Sequence, residues 1–183
     1  TSLGLHLLGN DNSPPMTQPP SPEDTALWQR RMASQANNRA WSLAETPLRT
    51  AQEDEEMLQA AHAAMYFWKQ VGNDHHRALA ALLVAHVCAL LSDGPSAARF
   101  WAQAQPAFFG AQAQDWEVAM AHAVQANVAY ANQDLLTHLH HYVQAHDKVA
   151  QLPDPEDRKI LESTLRVLPK PQAAHGGSHG GST

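Results

Sequence analysis

The stretch Thr50–Gly72, TAQEDEEMLQAAHAAMYFWKQVG, decides the fold class. Thr50 followed by Glu53 has the spacing of a capping box, in which the hydroxyl accepts from the Glu53 amide and the carboxylate reaches back to the Thr50 amide. Glu53, Asp54, Glu55 and Glu56 then place carboxylates where the positive end of the helix dipole favours them. At the far end Lys69 complements the negative pole, and Gly72 is expected to close the helix in the left-handed conformation. Between these ends Met57, Ala61, Ala64, Trp68 and Val71 recur at alternating spacings of four and three, which is one apolar face of an α-helix. Its alanines allow a neighbouring backbone to approach closely. A second row, Glu55, Gln59, His62, Tyr66 and Lys69, repeats with the same spacing around the cylinder. Mixed polar rows of this kind are what solvated helix faces carry. The same row also offers His62 and Tyr66 to a ligand lying in a groove.

Working outward, Ser21-Pro22-Glu23-Asp24 opens an earlier helix with a serine cap, a proline at the first helical position and two carboxylates. It is expected over 22–45, with Ala33, Ala36, Ala40 and Leu43 facing inward and Asn37 and Trp41 paired one turn apart. Thr46-Pro47 ends it, because a residue before proline avoids the helical region. Downstream, Asn73-Asp74 starts a nearly all-apolar helix to Leu91, the composition of an element in the middle of a core. His86, within it, reads as a core imidazole bonded to a neighbour. Ser92–Ser96 is a sharp break, followed by a helix over 96–109 that Pro106 should kink or shorten. Asp115 is expected to cap a fifth helix carrying Trp116, Met120, Ala123, Asn127 and Tyr130 on one stripe. Sixth and seventh helices follow over 135–151 and up to 168. The expected layout is a disordered lead over 1–20, one helical domain over 21–168 and a flexible tail over 169–183.

The composition excludes several functions. A formal charge of −6 with only 12 Lys and Arg gives no basic surface for nucleic acid. No segment is apolar for long enough to span a bilayer, and none is a basic amphipathic anchor. The one cysteine, Cys88, lies among Val84, Val87, Leu90 and Leu91 and reads as an inert buried thiol. No intrachain disulfide or thiolate metal site follows from it, and a reducing cytoplasm is the expected compartment.

Seven helices with short loops imply an all-α stack of antiparallel hairpins. The units Ser96–Asp134 and Leu135–Leu168 come close to the 34-residue period of tetratricopeptide repeats, without that repeat's aromatic–glycine signature. The fold class expected is therefore a tetratricopeptide-like α-solenoid. The run Arg49-Thr50, Glu53–Met57, Ala60–Ala63, Tyr66, Trp68 and Val71-Gly72, with Asn37-Asn38-Arg39 and Trp41 before it, resembles a family of small bacterial tetratricopeptide-like proteins. The resemblance covers 33–132 and implies a helical fold. It implies no activity.

No His-Glu-x-x-His, phosphate-binding glycine loop or Gly-x-Ser-x-Gly elbow occurs, so no catalytic motif is present and no cofactor is expected. The reading is a non-enzymatic module that binds a peptide or protein partner, with homodimerisation open. Asn37, Trp41, Glu55, His62, Tyr66 and Lys69 are its candidate contacts, facing one groove. The alternative is a small-molecule or metal-binding protein using the imidazoles of His62, His86, His122 and the run from His138 to His146. His138 and His141, one turn apart, with His146 and Asp147 then form the candidate ligand set.

Overall fold

The structure, a computed structural model, describes residues 19–172. Among these residues there are seven α-helices and no strand. They are α1 (Pro22–Ala44), α2 (Ala51–Val71), α3 (Asp74–Leu90), α4 (Gly94–Ala104), α5 (Asp115–Ala131), α6 (Leu135–Gln151) and α7 (Pro155–Val167). The expected lead and tail fall largely outside the described residues.

Most helix starts follow the local chemistry. The Ser21 hydroxyl accepts from the Asp24 amide at 3.1 Å. Both halves of the Thr50–Glu53 box form, at 3.2 and 2.8 Å. Two expectations need correction. Gly72 is extended (φ −88°, ψ 166°), not left-handed. Glycine is needed there for space, because a Cβ would stand 2.6 Å from the Trp68 carbonyl oxygen and 2.8 Å from the His76 Cβ. The ring of His76 stacks on Trp68 just above, with centroids 4.3 Å apart. The cap of α5 is Gln114, with Asp115 already helical; the Glu117 carboxylate accepts from the Gln114 amide at 3.0 Å. Pro106 shortens the fourth helix as expected: α4 stops at Ala104 and passes into a 3-10 turn over Gln105–Ala107. Phe108 follows, fully buried.

The helices pair as α1–α2, α3–α4 and α5–α6, and α7 closes against α5 and α6. This differs by one helix from the grouping expected from loop spacing, which joined α4 to α5 and α6 to α7. The turns explain the difference. Ser92 and Gln133, each at φ 62°, occupy the left-handed region between the members of a hairpin. In each turn the next residue, Asp93 or Asp134, sends its amide back to the carbonyl of Cys88 or Ala129 at 2.9 Å. The same aspartate then caps the following helix by accepting from Ser96 or Thr137 at 3.1 Å. These two turns are copies of one device, 41 residues apart (Ser92 to Gln133, Asp93 to Asp134). The same offset relates the starts of α3 and α5 and of α4 and α6. The chain therefore repeats a module longer than the 34 residues of a tetratricopeptide unit.

α1, α3, α5 and α7 touch in that order as one row, while α2, α4 and α6 each fill the step between two successive members of it. α3 carries the centre of the core, with every residue from Ala80 to Ala89 buried. The alanines of α2 and α5 let the helices approach closely, and Met57, Leu82, Leu83, Phe108 and Leu161 fill the space between them. No helix among the described residues is long and apolar enough to cross a membrane.

Candidate functional site

The sequence candidates divide between two grooves. The first, of about 310 Å³, lies along the row of odd-numbered helices. α1 supplies Asn37, Trp41 and Glu45, α3 supplies Leu79 and Leu82, α5 supplies Trp116 and Met120, and α7 supplies Ile160. The side chains point there because successive turns of each helix place i, i+3 and i+4 positions on one face. Trp41 forms part of the floor and stacks on the buried ring of His86, centroids 5.5 Å apart. Asn37, half-buried at one end, donates to Asn38 Oδ1 at 3.3 Å. At the Glu45 end, burial pushes the carboxyl pKa up, and Arg166 only partly opposes that shift.

The second groove, of about 510 Å³, is lined by His62, Met65, Tyr66 and Lys69 of α2 with Arg77, Ala81 and Gln103. His62 meets Phe100 edge-on, at 5.7 Å between centroids. Burial lowers its pKa, helped by Arg99, which favours the neutral ring. Asn37 and Trp41 thus do not share a groove with His62, Tyr66 and Lys69. The cause is the α1–α2 hairpin: α1 joins the row of odd-numbered helices, while α2 sits in the step above it. Glu55 lines neither groove; it is exposed and accepts from Gln59 Nε2 at 3.1 Å.

The histidine-rich helix also departs from expectation. His138, His141, His146 and Asp147 do not converge, and among the described residues no three His, Cys, Asp or Glu side chains are placed to hold a metal ion. His138 turns inward to the Ala126 carbonyl oxygen at 2.9 Å. His146 is exposed and packs on Tyr142, centroids 4.6 Å apart. His141 instead meets His122 of α5, with Nδ1 atoms 2.7 Å apart. Burial pushes His141 down to about 4, with the His122 ring adding to the effect. Helical spacing ranks residues within one helix, so a partner on α5 was out of its reach.

His86 is the core imidazole the sequence suggested. It is fully buried, and Asn127 Nδ2 lies 3.2 Å from its Nδ1 and donates to its carbonyl oxygen at 3.3 Å. Burial depresses its pKa to about 3. Cys88 is buried too, and burial raises its thiol pKa, as expected of an unreactive cysteine. Beyond the candidate contacts Asn37 and Trp41, the groove is lined by Glu45, Leu79, Leu82, Trp116, Met120 and Ile160. Trp116 and Met120 did stand on one stripe of α5, but a stripe looks the same whether a neighbour or a groove covers it.

Searches of protein-family models, curated proteins and solved structures found no match to this chain.

Proposed function

We propose that this chain is a non-enzymatic interaction module, a tetratricopeptide-like helical stack that takes an extended peptide of a partner protein in the groove over Trp41 and Trp116. One observation carries the reading: four helices in a row, α1, α3, α5 and α7, each contribute to a single apolar groove. Stacked helical hairpins use their inner row of helices in this way, as a continuous surface for extended ligands. The module that repeats between α3–α4 and α5–α6 supports the same architecture. Aromatic and long aliphatic side chains on the floor suit an apolar anchor residue of the peptide. Asn37, with both donor and acceptor atoms, suits the peptide's own backbone.

The test is a peptide-display selection against the full chain, with the affinity of hits measured by isothermal titration calorimetry. Ile160→Glu places a charge on an exposed groove residue at little cost to the fold, and a loss of at least tenfold in affinity is expected from it. His62→Ala and Tyr66→Ala, in the other groove, should leave affinity within a factor of two. Binding that survives Ile160→Glu and falls with His62→Ala would overturn the assignment.

A further inference from the structure

A second site stands apart from the groove, where α5 and α6 face each other. His122 and His141 are both half-buried, and their rings lie 5.0 Å apart between centroids and nearly parallel, at 29°. Their Nδ1 atoms point at one another across 2.7 Å. Two neutral imidazoles hold that distance only if one Nδ1 carries a proton and the other offers its lone pair. Packing does not demand this pair. With the 41-residue offset of the repeated module, His122 corresponds to Ala81 and His141 to Phe100, and both of those lie in the hydrophobic core. The preceding hairpin is thus closed with apolar groups where this one carries two nitrogen ligands from different helices.

We infer that His122 and His141 form a two-imidazole site for a borderline divalent transition ion, Zn²⁺ or one of its neighbours, with solvent completing the coordination. Nitrogen donors without carboxylates select such ions over Ca²⁺ or Mg²⁺, which require oxygen ligands. Phe109 packs on His122 with ring centroids 5.0 Å apart and covers one side. His140, exposed on α6, stands edge-on to His141 at 4.9 Å, and Lys148 is the nearby cation that disfavours positive charge on His122. A hard ion held by charge alone would be repelled there. With metal–imidazole bonds of about 2.0 Å, a tetrahedral ion needs its two nitrogens about 3.3 Å apart, so the rings must part by about 0.6 Å and each turn by about 35° to aim both Nδ1 lone pairs at the ion. The bridging Nδ1 proton moves to the Nε2 of the same ring, and both imidazoles remain neutral. Binding therefore releases no proton from the pair at pH 7.

Zn²⁺ titration of the full chain, purified without nickel resin, tests the site. His122→Asn and His141→Asn each keep a hydrogen-bonding group near the former Nδ1 position and remove the imidazole ligand. Each should weaken Zn²⁺ binding at least tenfold, while His140→Asn and His146→Asn leave it within a factor of two. Nitrogen NMR of the unsubstituted protein is the independent readout, since it does not depend on any variant folding. On adding Zn²⁺, the Nδ1 signals of both rings should shift as metal-bound and their Nε2 atoms should stay protonated. Unchanged affinity in both variants, or ligation through Nε2 of other histidines, would mean adventitious binding and overturn the site. Peptide binding in the groove does not bear on either outcome.

Discussion

At the scale of single residues, the buried polar groups of this chain set its pH response. His86 has no exposed surface, and among the described residues its Nε2 has no hydrogen-bond partner. A ring so placed stays neutral, and its pKa near 3 lies below the ordinary histidine value of 6.5. His141 behaves alike, with a value near 4. In both cases the unfolded chain binds the proton more readily than the folded one. Stability is therefore full above about pH 6.5 and falls as pH drops toward 4 and then 3. Each such group contributes a slope of at most about 1.4 kcal/mol per pH unit. Urea melts between pH 7.5 and 4 should show that decline, and Phe100-like closure of the α5–α6 hairpin by His141→Phe should make it shallower. Asn127→Leu removes the donor to His86 and should cost about 1–3 kcal/mol, read as a lower urea midpoint at unchanged slope.

At the scale of elements, caps and glycines do different work. The Thr50–Glu53 box was legible because both partners lie within four residues, and its hydrogen bonds depend only on local backbone. Thr50→Ala should cost about 1 kcal/mol of stability without altering the groove, seen in thermal melts with peptide affinity unchanged. Gly94 answers to a distant neighbour. A Cβ there would stand 2.6 Å from the Ala131 carbonyl oxygen and 2.8 Å from Asn132 Oδ1. Asn132 Nδ2 also donates to the Gly94 carbonyl at 2.9 Å, so the start of α4 is fastened to the end of α5. Gly94→Ala should therefore destabilise by about 1–3 kcal/mol, and Asn132→Ala should relieve the clash only in part. Sequence alone marked Ser92–Ser96 as a break, and the use of that glycine as the contact between two hairpins came from the fold. The sixth helix shows the same limit: its histidines were visible, and their separate destinations were not.

At the scale of the whole molecule, α7 closes the row. Leu161 and Leu165 are buried against its neighbours, and Ile160 reaches the groove from the same helix. Ending the chain at Leu152 should uncover the faces of α5 and α6, lower the melting temperature and raise binding of a hydrophobic dye. It should also weaken the proposed peptide binding beyond the effect of Ile160→Glu, because one wall of the groove is lost. A row in which each hairpin touches mainly its neighbours distributes stability along the chain. Hydrogen exchange should accordingly be slowest in α3 and α5, each of which packs on four helices, and faster in α1 and α7.

The sequence by itself determined that this chain is helical, where most helices begin, and that α3 lies at the centre. Those properties rest on periodicity, capping and composition, which act within a few residues. Only the tertiary structure decided which helices pair, that Asn37 and Trp41 belong to a different groove from His62 and Tyr66, and that His141 meets His122. Loop lengths allow either hairpin grouping, and the left-handed residues Ser92 and Gln133 choose between them by reversing the chain at particular points. Which side chains then converge depends on helices packed against one another across long stretches of sequence, where no local pattern carries the register.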